Sequence, residues 1–154
     1  MIPTLQLRRG KSESLRRFHP WVFSGAITRI PESLTEGALV RIVDENNKFI
    51  ALGHYQIGSI AVRVLSFTER PIDKQFWVER LSEAYQVRKH LDLVRPDNDI
   101  YRLVHGEGDQ LPGLIIDVYG ETAVMQAHSV GMHCCRQEIA EALVDACEGA
   151  VKHV

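Results

Sequence analysis

Six basic side chains crowd the first 30 residues of the chain. Only one acidic residue, Glu13, lies among them, so this segment carries a net charge of +5 within a total of −2, and the remaining residues carry −7. Such a distribution predicts a local anionic partner, for which a phosphate backbone is the usual candidate. A solvated basic edge explains the charge equally well. The cations closest together in sequence are Arg8, Arg9, Lys11, Arg16 and Arg17.

Two ring side chains, His19 and Trp21, follow directly after these cations. Single-stranded or irregular RNA is held by phosphate contacts together with stacking on aromatic rings. Both rings are therefore candidates for an RNA-contacting surface. Core packing is the competing interpretation of Trp21, and a solvated surface is the competing interpretation of the cations.

A second polar cluster lies in a glycine-rich segment, where His105 precedes the carboxylates Glu107 and Asp109. Loops of this composition often line sites. A hydrolase is one hypothesis, because paired carboxylates can act as general acid and general base. We favour a structural or domain-interface role, in which Arg88 and Arg102 neutralise the carboxylates.

The three cysteines, Cys134, Cys135 and Cys147, are odd in number and two of them are adjacent, which argues against a disulfide framework. Without a CxxC spacing or paired histidines we expect no metal site, and free thiols fit a reducing cytoplasm. The adjacent pair invites a nucleophilic role, but Cys135 falls on the apolar side of a predicted helix and no feature of the sequence predicts a lowered thiol pKa. We therefore interpret the pair as core or surface residues.

Residues 1–68 are predicted to be mostly β. Leu5 and Leu7 alternate in a first strand that ends at Gly10, and a short helical turn over residues 12–18 follows, with Ser12 as its candidate N-cap. Five or so short strands in this length indicate a small β-barrel. The further predicted strands cover residues 21–23, 26–30, 37–43, 49–55 and 60–67, with a turn at 44–48 and a bulge or close backbone approach at Gly53.

The segment Glu69-Arg70-Pro71 is the predicted boundary, so residues 1–70 and 71–154 are expected to form two domains. Asp73 is a candidate N-cap for a helix over residues 74–91. The apolar stripe of that helix contains Arg88, for which two interpretations are open. Either its aliphatic stem packs while the guanidinium reaches solvent, or the guanidinium pairs with a carboxylate near a site. The other members of the stripe are Trp77, Leu81, Ala84 and Leu91.

The second part is predicted to be a partial α+β domain. Three short strands over residues 101–104, 114–119 and 122–128 form an antiparallel piece, and a helix covers residues 133–147 with Gly149 as its stop. Residues 150–154 then begin another strand. Because a domain rarely ends on the opening residues of a buried strand, we expect this domain to be incomplete at its C-terminus. We also expect no membrane span and no signal peptide.

Several of these segments resemble one family in their order and spacing. The stretch from Lys11 to Ile27, with His19-Pro20-Trp21-Val22-Phe23-Ser24-Gly25 at its centre, resembles the opening of a PUA domain. Residues 101–120, which include His105-Gly106-Glu107-Gly108-Asp109, closely resemble the middle domain of the PUA-containing, SAM-dependent 23S ribosomal RNA cytosine-5 methyltransferases of bacteria. The resemblance covers essentially the whole chain.

The resemblance implies three parts: a PUA domain, a middle α+β domain, and a Rossmann-like domain that binds S-adenosyl-L-methionine (SAM) and carries a nucleophilic cysteine. The implied chemistry is thiolate attack on cytosine C6, methyl transfer to C5 and β-elimination. This sequence contains neither the third part nor a glycine-rich SAM loop. We therefore expect the chain alone to be inactive and to bind no cofactor, with ribosomal RNA and the catalytic domain as its partners.

In that arrangement the glycine-rich loop faces the catalytic domain and helps shape the cleft for a flipped base. Two other functions stay open. One is a stand-alone PUA-type RNA-binding protein, and the other is a small hydrolase that uses His105, Glu107 and Asp109. A deep pocket enclosing these three side chains would favour the hydrolase. Fold similarity alone does not decide between the three, because one fold hosts many activities.

Overall fold

The computed structural model describes residues 2–154, which form two compact units. The first unit comprises residues 2–70 together with Ser129–Gly131, and the second comprises Pro71–His128 together with Met132–Val154. Among the described residues, no helix is both long enough and apolar enough to cross a membrane.

The first unit is a curled five-stranded sheet. Its strands are β1 (Thr4–Gln6), β2 (Trp21–Phe23), β3 (Leu39–Val43), β4 (Phe49–Tyr55) and β5 (Ile60–Ser66), and helix α1 (Glu13–Arg16) lies between β1 and β2 in the chain. The strand order is β1-β3-β4-β5-β2, in which β1 runs parallel to β3 and the other neighbours are antiparallel. The predicted small β-barrel is confirmed as a half-barrel formed by this curled sheet.

Alternating side chains of these strands build the core of the first unit. Val40 and Ile42 are fully buried, as the two-residue period of a strand predicts. Val43 is buried as well, because the register with β4 shifts between Ile42 and Val43. The core is completed by residues of β1, α1, β2, β4 and β5, among them Leu5, Leu7, Leu15, Val22, Ile50, Ala51, Ala61, Val62 and Val64.

The predicted strand over residues 26–30 is wrong. Residues Ser24–Ala26 form a single 3-10 turn, and Ile27 makes only one isolated bridge, to Leu7. The β-branched residues of this segment favour an extended chain. After the turn, however, pairing with the end of β1 is limited to two backbone hydrogen bonds beside this bridge, from Arg8 to Ala26 and from Thr28 to Gln6.

Gly53 confirms the predicted close approach. A Cβ atom at this position would lie 2.4 Å from the carbonyl oxygen of Arg63 and 2.7 Å from a methyl carbon of Val62. The register between β4 and β5 also shifts between Leu52 and Gly53. Only glycine allows the two strands to come this close.

The second unit contains the strands β6 (Ile100–His105), β7 (Leu114–Tyr119) and β8 (Thr122–Ala127), which form an antiparallel sheet in the order β6-β7-β8. Its helices α2 (Lys74–His90) and α4 (Arg136–Ala146) pack together. The predicted helix over 133–147 is two helices, α3 (Val130–Cys134) and α4, interrupted at Cys135, and α3 begins in the residues grouped with the first unit. The predicted last strand is reduced to one parallel bridge, between Thr122 and His153.

Helix α2 begins as predicted, because the carboxylate of Asp73 accepts a hydrogen bond from the N–H of Phe76 at 3.1 Å. Its stripe is buried at Trp77, Leu81 and Ala84, where it packs on α4. The prediction for Leu91 is wrong, since the helix ends at His90 and the Leu91 side chain is exposed.

A buried histidine packs against the strap Ser129–Gly131 within the first unit. His54 lies in β4, and a Cβ atom on Gly131 would fall 2.2 Å from its ring carbon Cγ, so only glycine fits there. Burial disfavours the charged imidazolium and lowers the pKa of His54 from 6.5 to about 4. The folded state therefore holds a neutral imidazole near neutral pH.

The first unit should lose stability as the pH falls from 6.5 to about 4. In this range the unfolded chain protonates His54 and the folded chain does not, so the contribution to the unfolding free energy, roughly 3 kcal/mol, is present above pH 6.5 and lost on acidification. Urea unfolding at several pH values measures it. The unfolding free energy of the His54→Gln variant should depend less on pH than that of the native protein. His128→Gln, at an exposed position, is the control and should behave like the native protein. Equal pH dependence in all three proteins would contradict the role given to His54.

Candidate nucleic-acid interface

Helix α1 ends in a Schellman turn that determines the path of the basic segment. The N–H of Phe18 donates to the Leu15 carbonyl at 2.9 Å, and the N–H of His19 donates to the Ser14 carbonyl at 3.0 Å. Phe18 takes the left-handed position of this turn, with φ of 63°. Glycine is usual there, and a side chain with a Cβ atom costs about 1 kcal/mol. Ser12 precedes the helix, but its hydroxyl makes no capping bond.

Four of the five predicted cations are exposed without an ion pair in the described structure: Arg8, Arg9, Lys11 and Arg17. The N–H of Lys11 donates to the carbonyl of Arg8 at 3.0 Å, which closes a turn between β1 and α1. The Arg8 side chain donates through Nε to the carbonyl of Ile27 at 3.0 Å. This turn and the end of α1 thus present several positive charges to solvent on one unit.

Arg16, the fifth cation, has a structural role. Its Nη2 atom lies 2.8 Å from Oδ2 of Asp44, whose side chain is only 4% exposed. The pKa of Asp44 is lowered chiefly by the backbone N–H of Lys48, with further contributions from the N–H of Asn46 and from Arg16. Arg16 therefore compensates a buried carboxylate as well as adding positive charge to the surface.

Rings of β2 and the preceding turn form a small aromatic group. The rings of His19 and Trp21 meet edge to face at 5.8 Å between centroids, and the N–H of Trp21 donates to Nδ1 of His19 at 3.2 Å. Trp21 is half-buried, between the two predicted extremes of core packing and full exposure. Phe23 lies 6.3 Å from His19 and is 50% exposed. Phe23 was not among the predicted contact residues, although the two-residue period of a strand places it on the same face of β2 as Trp21.

The second predicted cluster is organised by an ion pair between Arg88 and Asp109. Both guanidinium Nη atoms reach the carboxylate, with Nη2 and Oδ2 at 2.8 Å, and the side chains are 12% and 8% exposed. The carboxylate also accepts the backbone N–H of His105 at 2.6 Å, and Nε of Arg88 donates to the carbonyl of Arg102. Of the two interpretations of Arg88, the structure supports pairing with a carboxylate.

Arg102 does not pair with Asp109. Its Nε and Nη2 atoms bind the two oxygens of Asp117 at 2.8 Å and 3.1 Å, across the ladder between β6 and β7. Its Nη1 atom lies 3.3 Å from Nδ1 of His105. The expectation that both arginines neutralise the loop carboxylates is therefore wrong for Arg102, because its register partner on β7 is closer.

The pocket beside these arginines does not meet the criterion set for a hydrolase. It has a volume of about 540 Å³ and is lined by Arg88, Arg102, His105 and Asp109, but not by Glu107. The Asp109 carboxylate is already bound by a guanidinium and a backbone N–H. A carboxylate held in this way is poorly placed to accept a proton from a water molecule.

The surroundings of Cys135 and Cys147 disfavour the thiolate form that a nucleophilic cysteine needs. Burial raises the pKa of Cys135 to about 11 and that of Cys147 to about 12, so both thiols stay protonated near neutral pH. Cys134 is exposed. No cluster of three histidine, cysteine or acidic side chains in residues 2–154 has the geometry to hold a metal ion.

Comparison with known protein families gives one match, which falls within the first unit. Residues 5–67 match the family described as PUA-like domain. This range includes the whole five-stranded sheet except Thr4 of β1, and it includes the basic segment and its rings.

Relatives of the chain are ribosomal RNA large subunit methyltransferases I. The protein from Vibrio cholerae is 37% identical over 146 residues, which is 94% of this chain and 36% of the relative. The proteins from Citrobacter koseri and Salmonella arizonae are 41% and 40% identical, over 93% and 92% of this chain. The chain thus spans about a third of the length of the curated relatives that it matches.

Two solved structures share the fold. A protein from Streptococcus mutans, described as a SAM-dependent methyltransferase, superposes with a TM-score of 0.81 over 99% of this chain and 40% of its own length. A methyltransferase in complex with SAH gives the same TM-score, over 39% of its length. Both are 17% identical in sequence, so they show a common fold.

The Asp109→Asn substitution should destabilise the second unit by about 3 kcal/mol, because it leaves the mostly buried guanidinium of Arg88 without a charged partner. Urea unfolding at neutral pH measures the change. Asp97→Asn is the matched control, because Asp97 pairs with Arg95 on the exposed surface of the same unit, where an ion pair contributes little, and it should stay close to the native protein. Equal stability of both variants would show that the ion pair does not hold the loop.

Proposed function

We propose that this chain is the RNA-binding and substrate-positioning part of a SAM-dependent methyltransferase that modifies cytosine C5 in large-subunit (23S) ribosomal RNA. The proposal is carried by the 37–41% identity to ribosomal RNA large subunit methyltransferases I, which extends over more than nine tenths of the chain. The exposed cations of the PUA-like unit supply the electrostatic complement that an RNA backbone needs.

Each predicted residue receives a role in this proposal. Residues 1–70 are the PUA domain, and 71–154 belong to the middle domain. The cations bind phosphates and so position the RNA, while rings offer stacking surfaces to unpaired bases. The RNA-contacting residues are Arg8, Arg9, Lys11, Arg16, Arg17, His19 and Trp21.

The loop that follows β6 has a different role in the proposal. Arg88 and Asp109 keep the loop in one conformation, so that His105 and Glu107 are presented to a neighbouring catalytic domain. The loop then forms one wall of the cleft that receives a base extruded from the RNA. Arg102 contributes to the same wall, with its charge balanced by Asp117.

SAM does not fit the residues described here. Doubly wound sheets hold such cofactors at a glycine-rich turn between a parallel strand and a helix. In this chain β5 is joined to α2 by residues 67–73, which contain no glycine, and the sheet of the second unit is antiparallel. We propose that SAM and the nucleophilic cysteine belong to a separate catalytic domain of the longer protein, that this chain alone is inactive, and that the enzyme works in the cytoplasm.

Charge reversal at two exposed cations tests the RNA-binding role. The Lys11→Glu/Arg17→Glu variant should bind 23S ribosomal RNA fragments more weakly, and the slope of log affinity against log salt should become shallower by about 1.4, since each phosphate contact with a single strand contributes about 0.7. Filter binding or fluorescence anisotropy at several salt concentrations measures the slope.

Arg29→Glu is the matched control, because Arg29 is an exposed cation of the same segment that lies outside the proposed contact set. It should change the salt slope by less than half as much as the double variant does. An unchanged slope in the double variant would remove the RNA-binding role from this segment.

A further inference from the structure

Phe18 contributes little to the stability of the fold. Its side chain is 72% exposed, and its backbone occupies the left-handed position of the Schellman turn, where glycine is usual. Strained backbone with an exposed, costly side chain is characteristic of functional positions. Folding alone therefore does not account for a phenylalanine at this position.

The Phe18 ring forms one wall of a small cavity in the first unit. The cavity has a volume of about 280 Å³, and the buried side chains of Leu15 and Ile50 line its apolar part. Phe49 and Phe67, both half-buried, complete the wall, with the rings of Phe18 and Phe67 meeting edge to face at 5.2 Å. We call these five residues the Phe18 pocket. Its aromatic lining and small size fit a single flat ring.

Cations border the Phe18 pocket. Arg16 lines it, with a side chain that is 44% exposed even while it binds Asp44. The guanidinium of Arg41 lies 5.1 Å from the centroid of the Phe49 ring. Arg17, the neighbour of Phe18 in sequence, is exposed. Arg16 and Arg41 are held by Asp44 and Glu69, so the phosphate contact falls to Arg17. An open pocket that combines aromatic rings with polar surface and has an exposed cation beside it matches a nucleobase attached to a phosphate backbone.

We infer that the Phe18 pocket binds one unstacked nucleobase of an RNA strand, which stacks on the Phe18 ring while Arg17 contacts an adjacent phosphate. This inference rests on the RNA-binding function proposed above and identifies the form of RNA, a strand with an unpaired base. An apolar side chain of a protein partner would also fit the rings. The net charge of +5 in residues 1–30 favours the polyanion.

Because Phe18 has a left-handed backbone conformation, its ring can be removed by a substitution that the turn tolerates. Phe18→Gly removes the ring and places the preferred residue in a left-handed turn, so the backbone strain is relieved. Phe18→Asn is a second ring-deleted variant, because asparagine also tolerates this conformation. Phe18→Trp keeps a stacking surface. Thermal unfolding of all three variants verifies that the fold is retained.

The experiment uses the 154-residue chain and a 12-nucleotide single-stranded RNA that carries 2-aminopurine, whose fluorescence is quenched by stacking. Native protein and Phe18→Trp should bind and quench. Phe18→Gly and Phe18→Asn should bind at least fivefold more weakly and lose the quenching, because one stacked base contributes about 1–3 kcal/mol, which is roughly 5-fold to 150-fold in affinity.

The experiment distinguishes failure of the base pocket from failure of the RNA-binding function. If Phe18→Gly and Phe18→Asn bind and quench like the native protein while Lys11→Glu/Arg17→Glu binds weakly, the base pocket is wrong and the RNA-binding function stands; that result is also the one expected if Phe18 contacts a protein. If the native chain binds no RNA at any salt concentration, the proposed function fails and the base pocket fails with it.

Discussion

The reversal of the chain at Phe18 is the constraint on which the candidate interface depends. Two backbone hydrogen bonds, from Phe18 to Leu15 and from His19 to Ser14, hold a left-handed residue between the cations of α1 and the rings of β2. Because two backbone hydrogen bonds close this short turn, the backbone positions of the cations and the rings are fixed relative to one another. The anchoring of Arg16 by the buried Asp44 ties the same helix to the turn after β3. Positive charge and aromatic surface are therefore presented together, which is what recognition of an unpaired nucleotide needs.

In the second unit, an ion pair between Arg88 and Asp109 holds the glycine-rich segment in place. The glycine-rich segment forms a 3-10 helix, Gly106–Asp109, and the carboxylate of Asp109 ties it to Arg88 of α2 and to the N–H of His105. The charged groups are nearly buried, so the pair is sensitive to loss of either partner. A carboxylate that is already bound in this way is better suited to hold the segment in place than to carry out acid–base chemistry of its own.

Local patterns in the sequence predicted much of the fold, and long-range contacts explain most of the rest. Strands β4 and β7, the Asp73 cap and the close approach at Gly53 follow from alternation, turn residues and glycine, all of which act within a few residues. The strand expected at 26–30 failed because a turn overrode β propensity. The pairing of Arg88 with a loop carboxylate was predicted, because an arginine in an apolar stripe needs a partner, whereas the packing of Gly131 on His54 joins residues far apart in sequence and has no local signature. At the candidate interface the cations were visible by charge, whereas the Phe18 pocket depends on a backbone conformation that residue types do not reveal.

The most direct test of the account is the binding of the 154-residue chain to 23S ribosomal RNA fragments over a range of salt concentrations, with yeast tRNA as the control. The account predicts binding that is stronger to a 23S fragment than to tRNA, and that weakens steeply as salt rises, because the contacts are to phosphates. Selectivity would come from unpaired bases that the rings can reach. Equal binding to both RNAs, or no binding to either at low salt, would contradict the claim that this chain is the RNA-recognition part of a ribosomal RNA methyltransferase.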